Sequence, residues 1–260
     1  MVGAASDLSL NGKIAIVTGA SRRQGIGAAV CRAFASHGAD VVFTHWQPYD
    51  RVQHYGPDED GPAALERELR DLGVRAHAVA CDLSDPDAPF RLLDQAQELI
   101  GSPSILVNNA VHSERNSFRD LDAKALDTAY AVNVRAMALL SVEFARRYPG
   151  GPGGRIINMS SGQGVGPMPG ELAYVTTKGA IEAFTSTLAA EVAMKGITVN
   201  AIDPGATDTG WMTEEFKAAI ARELGFGRVG LPEDAARLIL FLASDAGAWI
   251  TGQTIHSRGA

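Results

Sequence analysis

The sequence predicts an α/β fold, a doubly wound parallel sheet of about seven strands, in a single domain over residues 1–260. Short β-branched runs alternate along the chain with longer stretches of helical apolar periodicity, the pattern of βαβ crossovers around a buried sheet. No linker-like or low-complexity segment divides that alternation. The balance of 46% hydrophobic and 20% charged residues is that of an ordinary globular chain long enough to bury a large core.

Lys13–Thr18 (KIAIVT) is the first strand, and a glycine turn after it opens a helix over Gly27–Ser36. Asp40–His45 (DVVFTH) is the second, followed by a long loop and a helix over Ala63–Leu72. Arg75–Ala80 (RAHAVA) leads to a helix over Ala88–Ile100, and Ser104–Asn109 (SILVNN) to a long helix over Ala123–Arg147. Gly154–Ser160 (GRIINMS) precedes a helix over Leu172–Met194. Gly196–Ile202 (GITVNAI) precedes a short segment near 210–230 that should cap the substrate pocket. The helix over Pro232–Leu242 has proline in its first turn, where the missing N–H is not needed, and Gly252–His256 (GQTIH) is the last strand. Right-handed crossovers place the helices on both faces.

Composition excludes several classes. A net charge of -7 gives no reason to expect a nucleic-acid partner. Two cysteines, Cys31 and Cys81, are too few for a disulfide framework, so a reducing compartment fits. The start lacks the basic and apolar regions of a secretion signal, and the longest apolar run, Leu238–Ala243, is too short to span a bilayer. The expectation is a cytoplasmic protein with no membrane partner.

TGASRRQGIG, Thr18–Gly27, stands between a strand and a helix, the context that makes a phosphate-binding turn credible. Gly25 and Gly27 sit where backbone N–H groups and the positive end of the helix dipole face a pyrophosphate. Gly19, Ser21 and Ile26 belong to the same turn, which is two residues longer between Gly19 and Gly25 than the usual fingerprint. An NAD site usually carries a carboxylate after the second strand to bind the ribose 2′-hydroxyl. Here that region reads VVFTHWQPYD, with no carboxylate before Asp50, while Arg22 and Arg23 stand in the turn. Guanidinium groups bind phosphate oxygens, so NADP(H) is favoured over NAD(H), with one arginine expected to face solvent.

Tyr174 and Lys178 are spaced i,i+4 on one helix face. An ammonium near a phenol should draw its pKa from about 10 towards neutrality, as a general acid/base on a carbonyl or hydroxyl group requires. Ser161, at the end of GRIINMSS, is placed for the cleft above the strand ends.

Together these residues resemble the short-chain dehydrogenase/reductase family, 3-oxoacyl-ACP reductase-like members among them, whose sheet is Rossmann-like. The resemblance runs from Leu10 to His256. It rests on the glycine turn, CDL at Cys81–Leu83, NNA at Asn108–Ala110, Asn133 in AVNV, Ser161 and Tyr174-x-x-x-Lys178. PGATDT at Pro204–Thr209 and the pattern Leu231–Gln253 complete it. The resemblance implies that Tyr174 donates a proton to a substrate carbonyl and that Lys178 tunes Tyr174 and binds the nicotinamide ribose. Ser161 would bind the carbonyl oxygen, and Asn133 would hold a water linking Lys178 to solvent. It further implies that Asp82 and Leu83 lie beside the adenine and that Asn109 and Ala110 contact its ribose. Pro204, Gly205, Thr207 and Thr209 would seat the nicotinamide. The implied reaction is reduction of a ketone or β-ketoacyl group, or the reverse alcohol oxidation. A non-catalytic dinucleotide-binding sensor is the competing class.

Two departures stand out beside the longer turn. Val111 replaces the glycine of the family's NNAG, and IHSRGA replaces a more usual V-D-G-G. The segment His45–Pro62 reads as a surface loop packing its own aromatics, the alternative being that it wraps the adenosine end of the cofactor or a partner. His45 and His54 lack the further ligands a metal site needs, and Cys81 reads as a buried small apolar group. His112 and Arg115 follow a strand end and are candidates to touch substrate. Leu139, Leu140, Phe144, Ile181, Phe184 and Leu188 give the two long helices broad apolar faces, which predicts a homodimer or homotetramer. Trp211, Met212 and Phe216 suggest a partly apolar substrate.

Overall fold

The computed structural model describes residues 8–259. Its strands are β1 (Ile14–Val17), β2 (Asp40–His45), β3 (Ala76–Ala80), β4 (Ile105–Asn108), β5 (Gly154–Met159), β6 (Ile197–Asp203) and β7 (Thr254–His256). They form one parallel seven-stranded sheet in the order β3-β2-β1-β4-β5-β6-β7. The helices are α1 (Ile26–Ser36), α2 (Gln47–Arg51), α3 (Gly61–Asp71), α4 (Ala88–Ile100) and α5 (Ala123–Tyr130). They continue with α6 (Met137–Arg147), α7 (Leu172–Val192), α8 (Glu214–Glu223) and α9 (Pro232–Ala243).

Alternation along each strand sends successive side chains to opposite faces. Val17, Val41, Phe43 and Ile105 pack with Phe34 of α1, Leu65 of α3 and Ile239 of α9. Ile16, Val42, Leu106 and Val199 pack on the other face with Leu92 of α4, Phe144 of α6 and Leu188 of α7. Each such side chain, fully buried, contributes roughly 1.5–3 kcal/mol over an exposed one. Chain order reverses between β1 and β4, which pair directly, and this opens a crevice at their carboxyl ends.

A buried polar network fixes the helices that border that crevice. Asn108 of β4 donates to Ser141 of α6 (2.9 Å) and to Asn158 of β5 (2.8 Å). Asn158 in turn donates to Thr185 of α7 (2.9 Å). Thr185 shares an inward face of α7 with Tyr174, Lys178, Ile181 and Leu188, so the network also sets the rotation of the helix that carries Tyr174 and Lys178.

Two expectations need correction. The continuous helix over Ala123–Arg147 is interrupted by a π-helical turn over Ala131–Ala136. One wider turn leaves the apolar periodicity on either side intact, which hides it in the sequence. Neither α2 nor α8 was expected, since both lie in short polar segments. Of the apolar residues on the two long helices, Leu140, Phe144, Ile181 and Leu188 are buried within this chain, while Leu139 and Phe184 are half-buried. No helix among the described residues is long and apolar enough to cross a membrane.

Candidate active site

The turns after β1 and β4 are laced together. Thr18 Oγ1 accepts the N–H groups of Asn109 and Ala110, both at 3.0 Å. Asn109 Nδ2 donates to the carbonyls of Thr18 and Gly19, both at 2.9 Å. A Cβ on Gly19 (φ +75°) would stand 2.6 Å from Ala110 Cα, and one on Gly27 would stand 2.5 Å from the Gly19 carbonyl oxygen. Backbone cannot yield to such contacts, so both positions require glycine. The longer turn leaves α1 intact, beginning at Ile26 with Gly25 as an extended N-cap that offers no side-chain acceptor. Its first N–H groups therefore stay available to an anion. Val111 adopts a negative φ, as do all described non-glycine residues.

A cleft of about 490 Å³ opens here, lined by Gly19, Ser21, Arg22, Gly25, Ile26, Asp82, Leu83, Asn109, Ala110 and Thr209 from the residues singled out above. The cradle and the uncapped helix start fit a dinucleotide diphosphate. Arg23 is not among the lining residues; it turns outward onto Asp58, donating from Nε at 2.9 Å. Asn109 lines the cleft, but its amide is spent on the glycine turn. Asp82 Oδ1 accepts from the Ser84 N–H and hydroxyl at 2.9 and 2.7 Å.

The His45–Pro62 segment packs its own aromatics, His54 edge-on to Tyr55 with ring centroids 5.3 Å apart, and it also carries α2 and supplies Tyr49, Asp50 and Tyr55 to the cleft wall. The Arg22 guanidinium lies 3.7 Å over the Tyr55 ring and 3.8 Å from Asp50 Oδ1. Asp50 is buried, its Oδ2 has no partner, and burial raises its pKa. His54 reaches the carbonyl of Trp211 at 3.1 Å, tying this segment to the cap that carries α8. The sequence signal was present in the clustered aromatics and in Pro48 at the first turn of α2.

His112 lines the cleft and connects it to Asn133. Asn133, inside the π-helical turn, accepts the His112 N–H at 2.7 Å and donates to its carbonyl at 2.9 Å. The Asn133 amide also donates to Thr177 Oγ1 on α7 at 3.1 Å. Lys178 is buried, its Nζ donating to the Met159 carbonyl at 2.7 Å and lying 5.3 Å from the centroid of the Tyr174 ring. Ser161 Oγ donates to Met168 Sδ at 4.0 Å and lies close enough to Tyr174 to favour its phenolate, so the four residues gather beyond the ends of β4 and β5. Arg115 points outward, 3.5 Å from Glu171.

The electrostatics correct the expected tuning. Burial pushes the Tyr174 phenol up to about 12, and Ser161 only partly offsets this. The charge of Glu171, and after it those of Asp203 and Tyr49, pushes it the same way. Burial likewise lowers Lys178 to about 8. Desolvation is the largest cause of both shifts. The thiol of Cys81 is raised to about 11 by burial, which keeps it protonated and unreactive. His112 is held below its ordinary value by burial, and its Nε2 has no hydrogen-bond partner.

A doubly wound sheet with this crevice and a Ser–Tyr–Lys group at its mouth is the architecture of nicotinamide-dependent oxidoreductases. The chain belongs to the short-chain dehydrogenase/reductase family. Residues 19–259 match the family model described as enoyl-(acyl carrier protein) reductase. The chain is 50% identical over 249 residues to the uncharacterized oxidoreductase YjdA of Bacillus subtilis, covering 95% of this chain and 96% of that one. It is 31% identical to the 3-oxoacyl-[acyl-carrier-protein] reductase of Aquifex aeolicus, covering 97% and 98%. Among solved structures, a short-chain dehydrogenase from Burkholderia cenocepacia in complex with NADP superposes with a TM-score of 0.85 at 34% identity, covering 96% and 98%.

Proposed function

We propose that this oxidoreductase reduces a ketone or β-ketoacyl group with NADPH, or runs the reverse alcohol oxidation. The observation that carries the reading is the convergence of Ser161 and Lys178 on Tyr174 beside a glycine-cradled cleft. The NADP complex of the Burkholderia relative and the 3-oxoacyl reductase of Aquifex support it. Tyr174 and Lys178 lie four apart, as in the family's carbonyl reductases; its enoyl reductases use a longer spacing.

The glycine turn and the α1 N-terminus would hold the diphosphate of a bound cofactor, Arg22 would meet a 2′-phosphate, and Asp82 and Leu83 would border the adenine. Ala110 would border the ribose, and the Pro204–Thr209 segment would seat the nicotinamide. The bound cofactor supplies or accepts the hydride. Ser161 hydrogen-bonds the substrate oxygen, and Tyr174 donates its phenolic proton to that oxygen. Lys178 stabilises the phenolate that remains. Asn133 would hold a water through which Lys178 exchanges protons with solvent. The cap with Trp211 and Phe216, whose rings lie 5.5 Å apart, gives the substrate an apolar wall. We read residues 1–260 as one such domain in a cytoplasmic homodimer or homotetramer, which light scattering at micromolar concentration tests.

One observation favours NAD(H) as an alternative. The buried Asp50 carboxylate lines the cleft with an unpartnered oxygen, an acceptor suited to a ribose hydroxyl. Oxidation of NADPH and NADH in parallel against β-ketoacyl thioesters, quinones, ketosteroids and sugar ketones decides the matter. Turnover with NADPH that vanishes in Tyr174→Phe, with NADPH binding kept, is the expected result. Preference for NADH would reject the role of Arg22, and tight binding with no turnover of any substrate would favour a sensor.

A further inference from the structure

The segment after β7 departs from the family's usual ending, and its side chains meet at one buried carboxylate. Asp203, the last residue of β6, is 1% exposed. It accepts the Gly205 N–H on Oδ1 at 2.9 Å, while Oδ2 receives His256 Nδ1 at 2.9 Å and Arg258 Nη1 at 3.1 Å. The Asp203 carbonyl takes the Ser257 N–H at 2.8 Å. The tail also packs without slack: a Cβ on Gly205 (φ +66°) would stand 2.9 Å from Arg258 Cα. A Cβ on Gly162, the neighbour of Ser161, would stand 2.5 Å from Arg258 Nη1. Arg258 therefore runs between the turn that begins the Pro204–Thr209 segment and the turn that bears Ser161.

We propose that Arg258, supported by His256, is a positioning residue that locks these two turns together through Asp203 and so sets the nicotinamide seat against the catalytic hydroxyls. This rests on the reductase reading above. A buried charge that loses one of its two side-chain partners is left poorly compensated, so the Pro204–Gly205 turn should shift when Arg258 is removed. The charge of Asp203 also reaches Tyr174, which already faces Glu171 and Tyr49 as well as the Lys178 ammonium. Leaving Asp203 less neutralised makes the phenolate harder to form.

The test uses Arg258→Gln, Arg258→Lys and the double variant Asp203→Asn/Arg258→Gln. NADPH affinity is read by cofactor fluorescence on the resting protein, alongside melting temperature and the pH dependence of alcohol oxidation. In Arg258→Gln, NADPH binding weakens at least about tenfold and the rise of oxidation with pH moves upward. Arg258→Lys keeps the pH dependence but recovers only part of the affinity, since an ammonium lacks the planar fork. The double variant lies nearer the wild type than Arg258→Gln does in both readouts. A lower melting temperature with unchanged NADPH affinity and pH dependence would reduce Arg258 to a structural tie and overturn the proposal. Additive losses in the double variant would do the same. Failure of the wild type to bind either nicotinamide dinucleotide would remove the reductase reading and this proposal together; normal wild-type turnover with an unaltered Arg258→Gln removes only the latter.

Discussion

Replacing Arg22 by alanine tests which cofactor the cleft is built for. Its guanidinium is already oriented, lying 3.7 Å over the Tyr55 ring and 3.8 Å from Asp50, with a side chain only 16% exposed. A pre-ordered cation loses little further freedom on meeting a phosphate, so most of the interaction energy survives as affinity. A hydrogen bond to a charged group contributes about 1.5–3 kcal/mol, and about 1.4 kcal/mol is tenfold. Arg22→Ala should therefore raise KM for NADPH roughly tenfold to a hundredfold while KM for NADH stays within about twofold. Arg23→Ala is the internal control: its side chain is 51% exposed and engaged by Asp58, so neither KM should change by more than about twofold. Steady-state kinetics with both cofactors at fixed carbonyl substrate give all four numbers. Because Asp50 loses its cation in Arg22→Ala, the double variant with Asp50→Asn separates recognition from collapse of the α2 segment. Equal losses for NADPH and NADH, or a larger effect from Arg23, would refute the reasoning.

Gly27→Ala should cost about 1–3 kcal/mol, because the added methyl meets backbone. It should lower the melting temperature by several degrees, and an unchanged melting curve would contradict the clash. Lys178 has a folded pKa of about 8 against 10.5, so the unfolded chain binds more protons between those values and stability rises with pH across that window. Lys178→Met should flatten that rise, worth about 3 kcal/mol at most, in denaturant titrations at pH 7.5 and 10; a slope equal to the wild type would argue against a buried, titrating amine. Carbonyl reduction should hold below pH 8 and decline above it as Lys178 loses its charge, whereas alcohol oxidation should climb with pH. A reduction rate flat from pH 6 to 10 would exclude Lys178 as the titrating group.

What could be read from the sequence depended on whether the information was local. Strand runs such as KIAIVT and GITVNAI fall on β1 and β6 because β-branched residues between turns have no other stable use in a parallel sheet. The Tyr174–Lys178 spacing was legible because a helix brings i and i+4 together whatever surrounds it. The π-helical turn at Asn133 was not, since one wider turn changes no residue type. Nor was the meeting of Tyr55 with Arg22, of His54 with Trp211 or of Arg258 with Asp203, each of which depends on the tertiary path of a loop or tail. The pairing of arginines with carboxylates decided the fates of Arg22 and Arg23. Asp50 and Asp58 both stand in the segment read as a bare loop, and they draw one arginine along the cleft wall and the other away from it.

Burial acts in opposite senses on the two ends of the Tyr174–Lys178 pair, raising the phenol and lowering the ammonium. Both shifts favour the neutral form, yet at pH 7 they leave different species, because about 12 lies far above that pH and about 8 lies just beyond it. The resting inventory is a protonated phenol beside a predominantly protonated amine. A residue that must give a proton to a carbonyl oxygen is thereby already loaded. A residue that must take one from an alcohol would have to ionise first, against burial and against the charges of Glu171 and Asp203. The ammonium cannot reverse that alone, since it lies 5.3 Å from the ring centroid and is hydrogen-bonded to the Met159 carbonyl. On the proposed reading, burial of the pair keeps the phenol protonated at neutral pH, and alcohol oxidation is expected to rise as alkaline conditions make the phenolate easier to form.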